Sequence, residues 1–216
     1  MKKIEEMKEI ALALDAGDPL GKFRERFFIP RGRVYMDGNS LGLPPKKSVE
    51  DVYRVVEEWK TFNIDGFLEG KMPWFTMPEE LGRMMAPLLG ALPQEVVMSG
   101  STTSNLHSLV STFYVPSGGR RKILADELNF PSDIYALASE IRLKGGDPAS
   151  DLILARSRDG STLDEDDIVA LMDETVSLVL LPSVLYRSGQ LLDMERLARC
   201  AHEKGIAIGF DCAHSA

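Results

Sequence analysis

The stretch VSLVLLPSVLYRSGQLLDMERLARCAHEKGIAIGFD, residues 176–211, decides the fold class. It begins with an uninterrupted apolar segment, continues with the helix-like segment MERLARCAHEKG, and ends in a second apolar segment, IAIGFD. Two short apolar strands around one helix are typical of a βαβ unit, whose strands lie parallel and are buried on both faces. The stretch therefore predicts an α/β protein with a mostly parallel sheet.

The same alternation extends upstream to about residue 76. Further strands are predicted over 95–100, 122–126 and 151–156, and further helices over 78–92, 101–115, 131–145 and 161–173. Helices between parallel strands cover both faces of a sheet, so residues 76–216 are predicted to form a three-layer sandwich.

Residues 1–75 have a different pattern. Two helical segments, 5–16 and 46–62, flank a loop that is rich in Pro and Gly. Each helical segment has an apolar face, formed by Ile4, Met7, Ile10, Ala11 and Leu14 in the first and by Val49, Val52, Val56 and Trp59 in the second. We therefore predict an N-terminal helical and loop segment over 1–75, ahead of the large domain.

Composition limits the function classes. The chain has 216 residues and a formal net charge of -8, which argues against nucleic acid as the main partner, because phosphate backbones need a basic surface. Its two cysteines, Cys200 and Cys212, stand in no metal-binding spacing and indicate no disulfide framework. No apolar segment is long enough to cross a bilayer, and the N-terminus lacks the apolar core of a signal peptide. We expect a cytoplasmic protein that holds no metal.

Parallel sheets bind ligands outside the carboxyl ends of their strands, which directs attention to the residues after each predicted strand. The segment SGSTTSNLH follows the first strand and opens a helix, so it offers hydroxyls and free N–H groups to a phosphate. The alternative is a plain helix N-cap with extra serines.

Two other strand ends carry aromatic and acidic residues. Phe130 and Asp133 follow the strand KILAD, where the phenyl group is able to stack on a flat cofactor ring; alternatively Phe130 is core and Asp133 caps a helix. Asp211 follows a strand that we expect to be central and buried, so the carboxylate needs a cation or several donors unless it is a helix cap. A phosphate site, an aromatic face and a partner for a ring nitrogen together match pyridoxal phosphate.

Six segments carry a resemblance to a known family. They are YMDGNSLGLPP (35–45), EGKMPW (69–74), TTSNLH (102–107), NFPSDIYA (129–136), LLPSVLYRSGQLLDM (180–194) and GFDCAHSA (209–216). In these segments the sequence resembles the N-terminal half of kynureninase, a fold-type I pyridoxal-phosphate enzyme of the aminotransferase class V group. The GNSLG and NFPSD segments carry most of the specificity, since the Asp-x-x-His segment is shared more widely among class V relatives.

The resemblance implies a role for each matching residue on the cofactor side. Thr102 and Thr103 would hold the phosphate, Phe130 would stack on the pyridine ring, and Asp133 would lie by the ring near its hydroxyl, next to Ser132. Asp211 would pair with the ring nitrogen and His214 would lie beside the cofactor. The family often has a small hydroxyl residue where Pro182 stands here, and the adjacent Ser183 would take its place. The full cofactor set is Thr102, Thr103, Phe130, Ser132, Asp133, Ser183, Asp211 and His214.

On the substrate side, the resemblance implies Ser40, Phe67 and Trp74, contributed by the neighbouring subunit of a homodimer. Some relatives have a His where Phe67 stands. The implied reaction is hydrolysis of L-kynurenine or 3-hydroxykynurenine to anthranilate or 3-hydroxyanthranilate and L-alanine. That reaction belongs to the kynurenine pathway, in tryptophan catabolism or NAD biosynthesis.

The lysine that binds the cofactor covalently in this family lies some two dozen residues beyond the Asp-x-x-His segment. The family's small C-terminal domain follows it, so we expect this chain alone to be inactive and its remaining portion to be supplied, for example, by a second chain. Two alternatives stay open. One is another class V pyridoxal-phosphate enzyme, a cysteine desulfurase-like lyase or an aminotransferase, and the other is a non-catalytic truncated relative.

Overall fold

The computed structural model describes residues 2–215. The chain divides into two compact units, one up to Met77 and one from Pro78 onward. The predicted boundary between residues 75 and 76 stays a prediction about domains, because compactness alone does not show that a unit folds independently.

The first unit is helical with long loops. Its helices are α1 (Lys2–Gly17) and α2 (Lys46–Phe62), with short 3-10 helices at Gly21–Arg26 and Asn63–Phe67. Both α-helices fall where their apolar periodicity predicts them. Within this unit only one described residue, Gly66, is buried.

The second unit alternates helices and strands. The helices are α3 (Met77–Leu89), α4 (Thr102–Phe113), α5 (Pro131–Leu143), α6 (Pro148–Asp151), α7 (Glu165–Ala170) and α8 (Met194–Glu203). The strands are β1 (Lys122–Asp126), β2 (Leu152–Ala155), β3 (Val176–Pro182) and β4 (Ala207–Asp211), and a 3-10 helix covers Pro93–Glu95. Side-chain caps at Ser101, Asp147, Asp164 and Asp193 start four of these helices.

The four strands form one parallel sheet in the order β2-β1-β3-β4. Alternate side chains of β3 enter two separate cores: Val179 and Leu181 face α7 and α8, while Leu178 and Leu180 face α4 and α5. All seven residues of β3 are buried, as expected for a strand with helices on both faces. The predicted three-layer α/β sandwich is therefore confirmed.

Two predictions about the strands are wrong. Residues 95–100 form no strand, and Val97 lies exposed in an irregular segment. Among the described residues this segment pairs with no strand, and an apolar segment without a partner does not hold strand geometry. Likewise β4 is an edge strand, not a central one, so all five of its residues are only half-buried.

Helix α7 is shorter than predicted. The pattern over 161–173 predicts thirteen residues, whereas the helix spans Glu165–Ala170 because Asp164 caps it and the chain turns at Leu171. Among residues 2–215, no helix is long and apolar enough to cross a membrane.

Candidate functional site

The carboxyl ends of three adjacent strands bring most of the predicted cofactor residues to one edge of the sheet. Asp126 ends β1, Pro182 ends β3 and Asp211 ends β4, and Pro182 and Asp211 are register partners. Asp133 lies in the first turn of α5, which is separated from β1 by four residues and has Pro131 at its first position.

Asp126 and Asp133 are buried carboxyls at this edge. Their side chains are 0% and 1% exposed, and one oxygen of each, Oδ2, has no hydrogen-bond partner among the described residues. Asp126 also accepts the N–H of Leu128 at 2.9 Å, and the hydroxyl of Ser132 donates to Asp133 at 3.2 Å. A buried carboxylate oxygen without a donor is costly, so each group favours its protonated form or a ligand that supplies a donor or a positive charge.

The pKa values reflect that environment. Burial raises the pKa of Asp126 from 3.8 to about 6. Burial, together with the nearby carboxylate of Asp211, raises the pKa of Asp133 from 3.8 to about 7. The carboxyls of Asp133 and Asp211 therefore lie close enough to disfavour a second negative charge, and a cationic ligand bound beside them would favour their ionised forms.

Asp211 is fixed by the backbone around it. One carboxylate oxygen, Oδ1, accepts the N–H of Ala213 at 2.9 Å, and the main-chain carbonyl accepts the N–H of Ser183 at 2.8 Å. The Ser183 hydroxyl donates to the same carbonyl at 3.2 Å and lies 2.6 Å from the hydroxyl of Ser215. Ser183 is thus buried and holds the loop after β4, and its predicted contact with a cofactor stays a prediction.

The N-terminus of α4 presents hydroxyls to solvent. The hydroxyl of Ser101 accepts the N–H of Ser104 at 3.2 Å, as a cap does. Thr102 and Thr103 occupy the first two helical positions and are exposed, so their backbone N–H groups have no partner within the helix. Thr102 and Asp211 line the same groove, which has a volume of about 680 Å³ and runs along α4 and β4.

Three aromatic rings form a row across the loops that follow β1, β3 and β4. The ring of Tyr186 lies edge-on to Phe130, with 5.2 Å between centroids, and nearly parallel to the imidazole of His214, with 6.2 Å between centroids. Phe130 is 45% exposed and is not part of the core, so its ring is free to contact a ligand. The Nδ1 atom of His214 is buried and has no hydrogen-bond partner among the described residues.

Tyr186, like Asp126, is a site residue that the sequence reasoning missed. It lies in the quoted segment LLPSVLYRSGQ, but four residues after the end of β3. It follows the buried Leu185 in the loop after β3, and no local pattern distinguishes it from the other residues of that loop.

The three residues predicted for the substrate side lie in the first unit. Ser40 is exposed in a turn, where its N–H donates to the carbonyl of Asp37 at 3.2 Å. Phe67 and Trp74 contact each other edge to face, with 5.5 Å between centroids. Their role toward a substrate stays a prediction.

A pyridine ring with a phosphate fits the residues at the sheet edge. The orphaned oxygen of Asp133 and the adjacent Asp211 would accept a protonated ring nitrogen, and the free N–H groups of α4 suit a phosphate. The exposed face of Phe130 suits a planar ring. The arrangement offers acids, an aromatic face and an imidazole, but no lysine side chain is among the residues that form it.

Curated relatives that match the chain are kynureninases. The chain is 55% identical over 212 residues to the kynureninase of Geobacillus thermodenitrificans. The aligned region covers 98% of this chain and 50% of that protein. The chain is 55% identical over 207 residues to the kynureninase of Bacillus anthracis and 54% identical over 208 residues to that of Shouchella clausii, covering 48% and 49% of those proteins. The resemblance to kynureninase is therefore confirmed over nearly the whole chain, and the chain spans about half the length of the curated relatives it matches. No protein-family model matches it.

Solved structures show the fold. The cysteine desulfurase CsdA from Escherichia coli is 17% identical, with a TM-score of 0.68 over 90% of this chain and 48% of that one. A mutant of the C-DES protein, solved with glycine covalently linked to its PLP cofactor, is 14% identical, with a TM-score of 0.71 over 89% of this chain and 50% of that one. At these identities the likeness extends to the fold alone.

Proposed function

We propose that this chain supplies the cofactor-binding half of a kynureninase-like hydrolase that depends on pyridoxal 5'-phosphate. The observation that carries the proposal is the pair of neighbouring carboxyls at the sheet edge, Asp133 and Asp211, of which the buried Asp133 has an oxygen without a donor. The exposed ring of Phe130 lies one turn before Asp133 along the chain. Identity of 55% to kynureninases across 98% of the chain supports the same reading.

Each residue has a separate task in the proposal. Asp211 keeps a proton on the ring nitrogen, and Asp133, with its neighbour Ser132, accepts from the ring at a second point. Phe130 and His214 border the ring. Thr102 and Thr103 present backbone N–H groups and hydroxyls to the phosphate, helped by the positive end of the α4 dipole; Ser183 supports this group by holding the loop after β4.

The proposed reaction is the hydrolytic cleavage of L-kynurenine or 3-hydroxykynurenine to anthranilate or 3-hydroxyanthranilate and L-alanine. When bound, pyridoxal phosphate would supply an electron sink for bonds at the α-carbon of the amino acid. The residues of this chain hold the ring, keep its nitrogen protonated and exclude water from one face. Ser40, Phe67 and Trp74 are proposed for the substrate side, contributed across a homodimer.

We further propose that the groove beside β4 is covered by the polypeptide that corresponds to the other half of the relatives. Its walls are mostly apolar and include Leu109, Phe113 and Ile208, and the β4 edge offers unpaired backbone groups. A chain that spans about half its relatives presents such a surface where further sheet and helix would pack. We place the assembled enzyme in the cytoplasm.

A chimera tests the proposed activity. Residues 1–216 replace the matching half of the Geobacillus thermodenitrificans enzyme, to which they are 55% identical. The chimera is expected to bind pyridoxal phosphate and to release fluorescent anthranilate from kynurenine, or the 3-hydroxy product from 3-hydroxykynurenine. The matched control is the 216-residue chain alone, which is expected to form neither product.

A folded chimera that binds the cofactor but releases neither product would contradict the proposal. Release of sulfur from cysteine by the same chimera would favour a desulfurase-like lyase. A 216-residue chain that is monodisperse, stable and unable to bind pyridoxal phosphate would favour a non-catalytic relative.

A further inference from the structure

The ring of Tyr186 links two groups of the candidate site. It contacts Phe130, the N-cap residue of α5, at 5.2 Å between centroids, and His214, in the loop after β4, at 6.2 Å with 24° between the ring planes. These two residues come from opposite sides of β3, since β1 and β4 are its two neighbours in the sheet. Tyr186 is therefore placed to set the orientation of both rings at once.

His214 depends on this contact for its orientation. Among the described residues its imidazole makes no hydrogen bond, and its Nδ1 atom is buried. A histidine usually has its ring plane fixed by a hydrogen bond to one of its nitrogens. Here the contact found on the ring is the nearly parallel stacking with Tyr186.

The loop that carries Tyr186 is held firmly. The N–H of Leu185 donates to the carbonyl of Gln190 at 2.9 Å, and that of Gly189, at φ 74°, donates to the carbonyl of Leu185 at 2.8 Å. Glycine suits position 189 because residues with a side chain rarely adopt a positive φ. Leu185 itself is 2% exposed and packs in the core, which anchors the residue next to Tyr186.

A side-chain clamp fixes the end of the same loop. The amide of Gln190 accepts the N–H of Leu163 at 2.7 Å and donates to the carbonyl of Leu163 at 2.8 Å. This two-point attachment ties the loop to the segment before α7. The hydroxyl of Tyr186 accepts the Nε–H of Arg187 at 2.9 Å and is not directed at another site residue, so the ring is the part that contacts the site.

We propose that Tyr186 is a positioning residue, whose ring holds the imidazole of His214 and the phenyl of Phe130 in the orientation that receives pyridoxal phosphate. The inference rests on the proposed function and assigns no chemical step to Tyr186. The ring carries the role and the hydroxyl does not.

Two variants and one control test it in the chimera described above, which contains residues 1–216 of this chain together with the matching second half of the relative. Tyr186→Leu removes the ring, Tyr186→Phe keeps the ring and removes the hydroxyl, and Tyr135→Leu removes a tyrosine on α5 that is 76% exposed. The first readout is the chemical shift of the carbon-bound ring protons of His214, which the stacked ring of Tyr186 perturbs. A His214→Gln variant identifies the resonance, since it removes only that imidazole. The second readout is the dissociation constant of pyridoxal phosphate, measured by visible absorption.

We expect loss of the Tyr186 ring to have an effect and loss of the Tyr186 hydroxyl to have none. Tyr186→Leu moves the His214 resonance and weakens pyridoxal phosphate binding about tenfold, the size expected for losing aromatic pairs. Tyr186→Phe and Tyr135→Leu stay within about twofold of the unchanged chimera and leave the resonance in place.

Three results overturn the inference. An unmoved His214 resonance in Tyr186→Leu would show that the ring does not hold the imidazole. A moved resonance with unchanged affinity would show that the orientation does not matter to the cofactor, and an equal loss in Tyr186→Phe would assign the role to the hydroxyl. If the unchanged chimera binds no pyridoxal phosphate, the proposed function fails and the cofactor role of Tyr186 fails with it. Binding by the unchanged chimera with no loss in Tyr186→Leu defeats the inference alone.

Discussion

The two units of the chain use the same kind of amphipathic helix with opposite results. In the unit from Pro78 onward, the apolar faces of α4, α5, α7 and α8 are buried against a parallel sheet. In the unit up to Met77, the apolar face of α1 remains exposed, with Leu14 at 70%, and on α2 Trp59 is 61% exposed. Periodicity therefore predicts the helix in both units, but only a covering surface makes its apolar face a core.

The buried apolar faces of the second unit contribute to its stability, whereas the exposed apolar faces of the first unit are available for contact with another protein. Apolar burial in the second unit stabilises it in proportion to the area removed from water. Exposed apolar faces of the size seen in the first unit are typical of surfaces that contact another protein. Substitutions of the same kind should therefore have large effects on stability in one unit and small effects in the other.

The largest expected effect is in the core next to β3. Leu181 is fully buried, so Leu181→Ala removes apolar contacts and leaves a cavity, and we expect the free energy of unfolding to fall by about 3 kcal/mol. Leu14→Ala on α1 is the matched control, with an expected change of less than about 0.5 kcal/mol. Urea unfolding followed by circular dichroism measures both. Equal effects would remove the distinction between the units.

A smaller effect is expected from the buried carboxyl Asp133. Its pKa in the folded chain, about 7, exceeds the 3.8 of an unperturbed aspartate, so between these pH values the folded chain binds more protons than the unfolded chain. The free energy of unfolding therefore falls as the pH rises from about 4 to about 7. Asp133→Asn removes this contribution and should stabilise the cofactor-free chain at pH 8. Because solvent screening reduces the full linkage value, we expect about 2 kcal/mol, while the two chains converge near pH 4.

The control for that pH series is Asp15→Asn, which removes an exposed carboxylate on α1 in the first unit. Its stability curve should run parallel to that of the unchanged chain. If Asp133→Asn also runs parallel between pH 4 and pH 8, the carboxyl of Asp133 is not held protonated by its surroundings.

The smallest expected effect tests the one tightly packed point of the first unit. A Cβ on Gly66 would lie 2.9 Å from Cη2 of Trp74, so Gly66→Ala must displace the indole ring. We expect a loss of about 1 kcal/mol and a red shift of Trp74 emission, measured in a Trp59→Phe background that leaves Trp74 as the only tryptophan. Gly17→Ala, which meets nothing within 4 Å, should leave the emission unchanged. A shift in both variants would mean that the packing at Gly66 is not the cause.

The fold was predictable because its elements are short and strongly patterned. The helix α2 and the strand β1 have the predicted bounds. Pro45 marks the start of α2, and the charged residues at the two ends of KILAD mark the ends of β1. The irregular segment at 95–100 was not predictable, because an apolar pattern does not say whether a partner strand is present. The edge position of β4 was missed for the same reason: pairing is a property of the whole sheet.

The candidate site was predictable where chemistry follows a strand directly. Asp133 and Asp211 were found from their positions after strands, and their mutual electrostatic effect required the fold. Asp126 and Tyr186 were missed because nothing local distinguishes a strand-end carboxylate with an orphaned oxygen, or a loop tyrosine stacked between two rings.

The most direct test of the central claim is the turnover of kynurenine by the chimera with Asp211→Ala. If Asp211 keeps the ring nitrogen protonated, its removal loses a charge-assisted hydrogen bond, and we expect turnover to fall about a hundredfold or more. Asp15→Ala in the same chimera is expected to keep turnover within about twofold. Near-normal turnover of Asp211→Ala, with cofactor still bound, would contradict the assignment of the edge of β4 as the cofactor site.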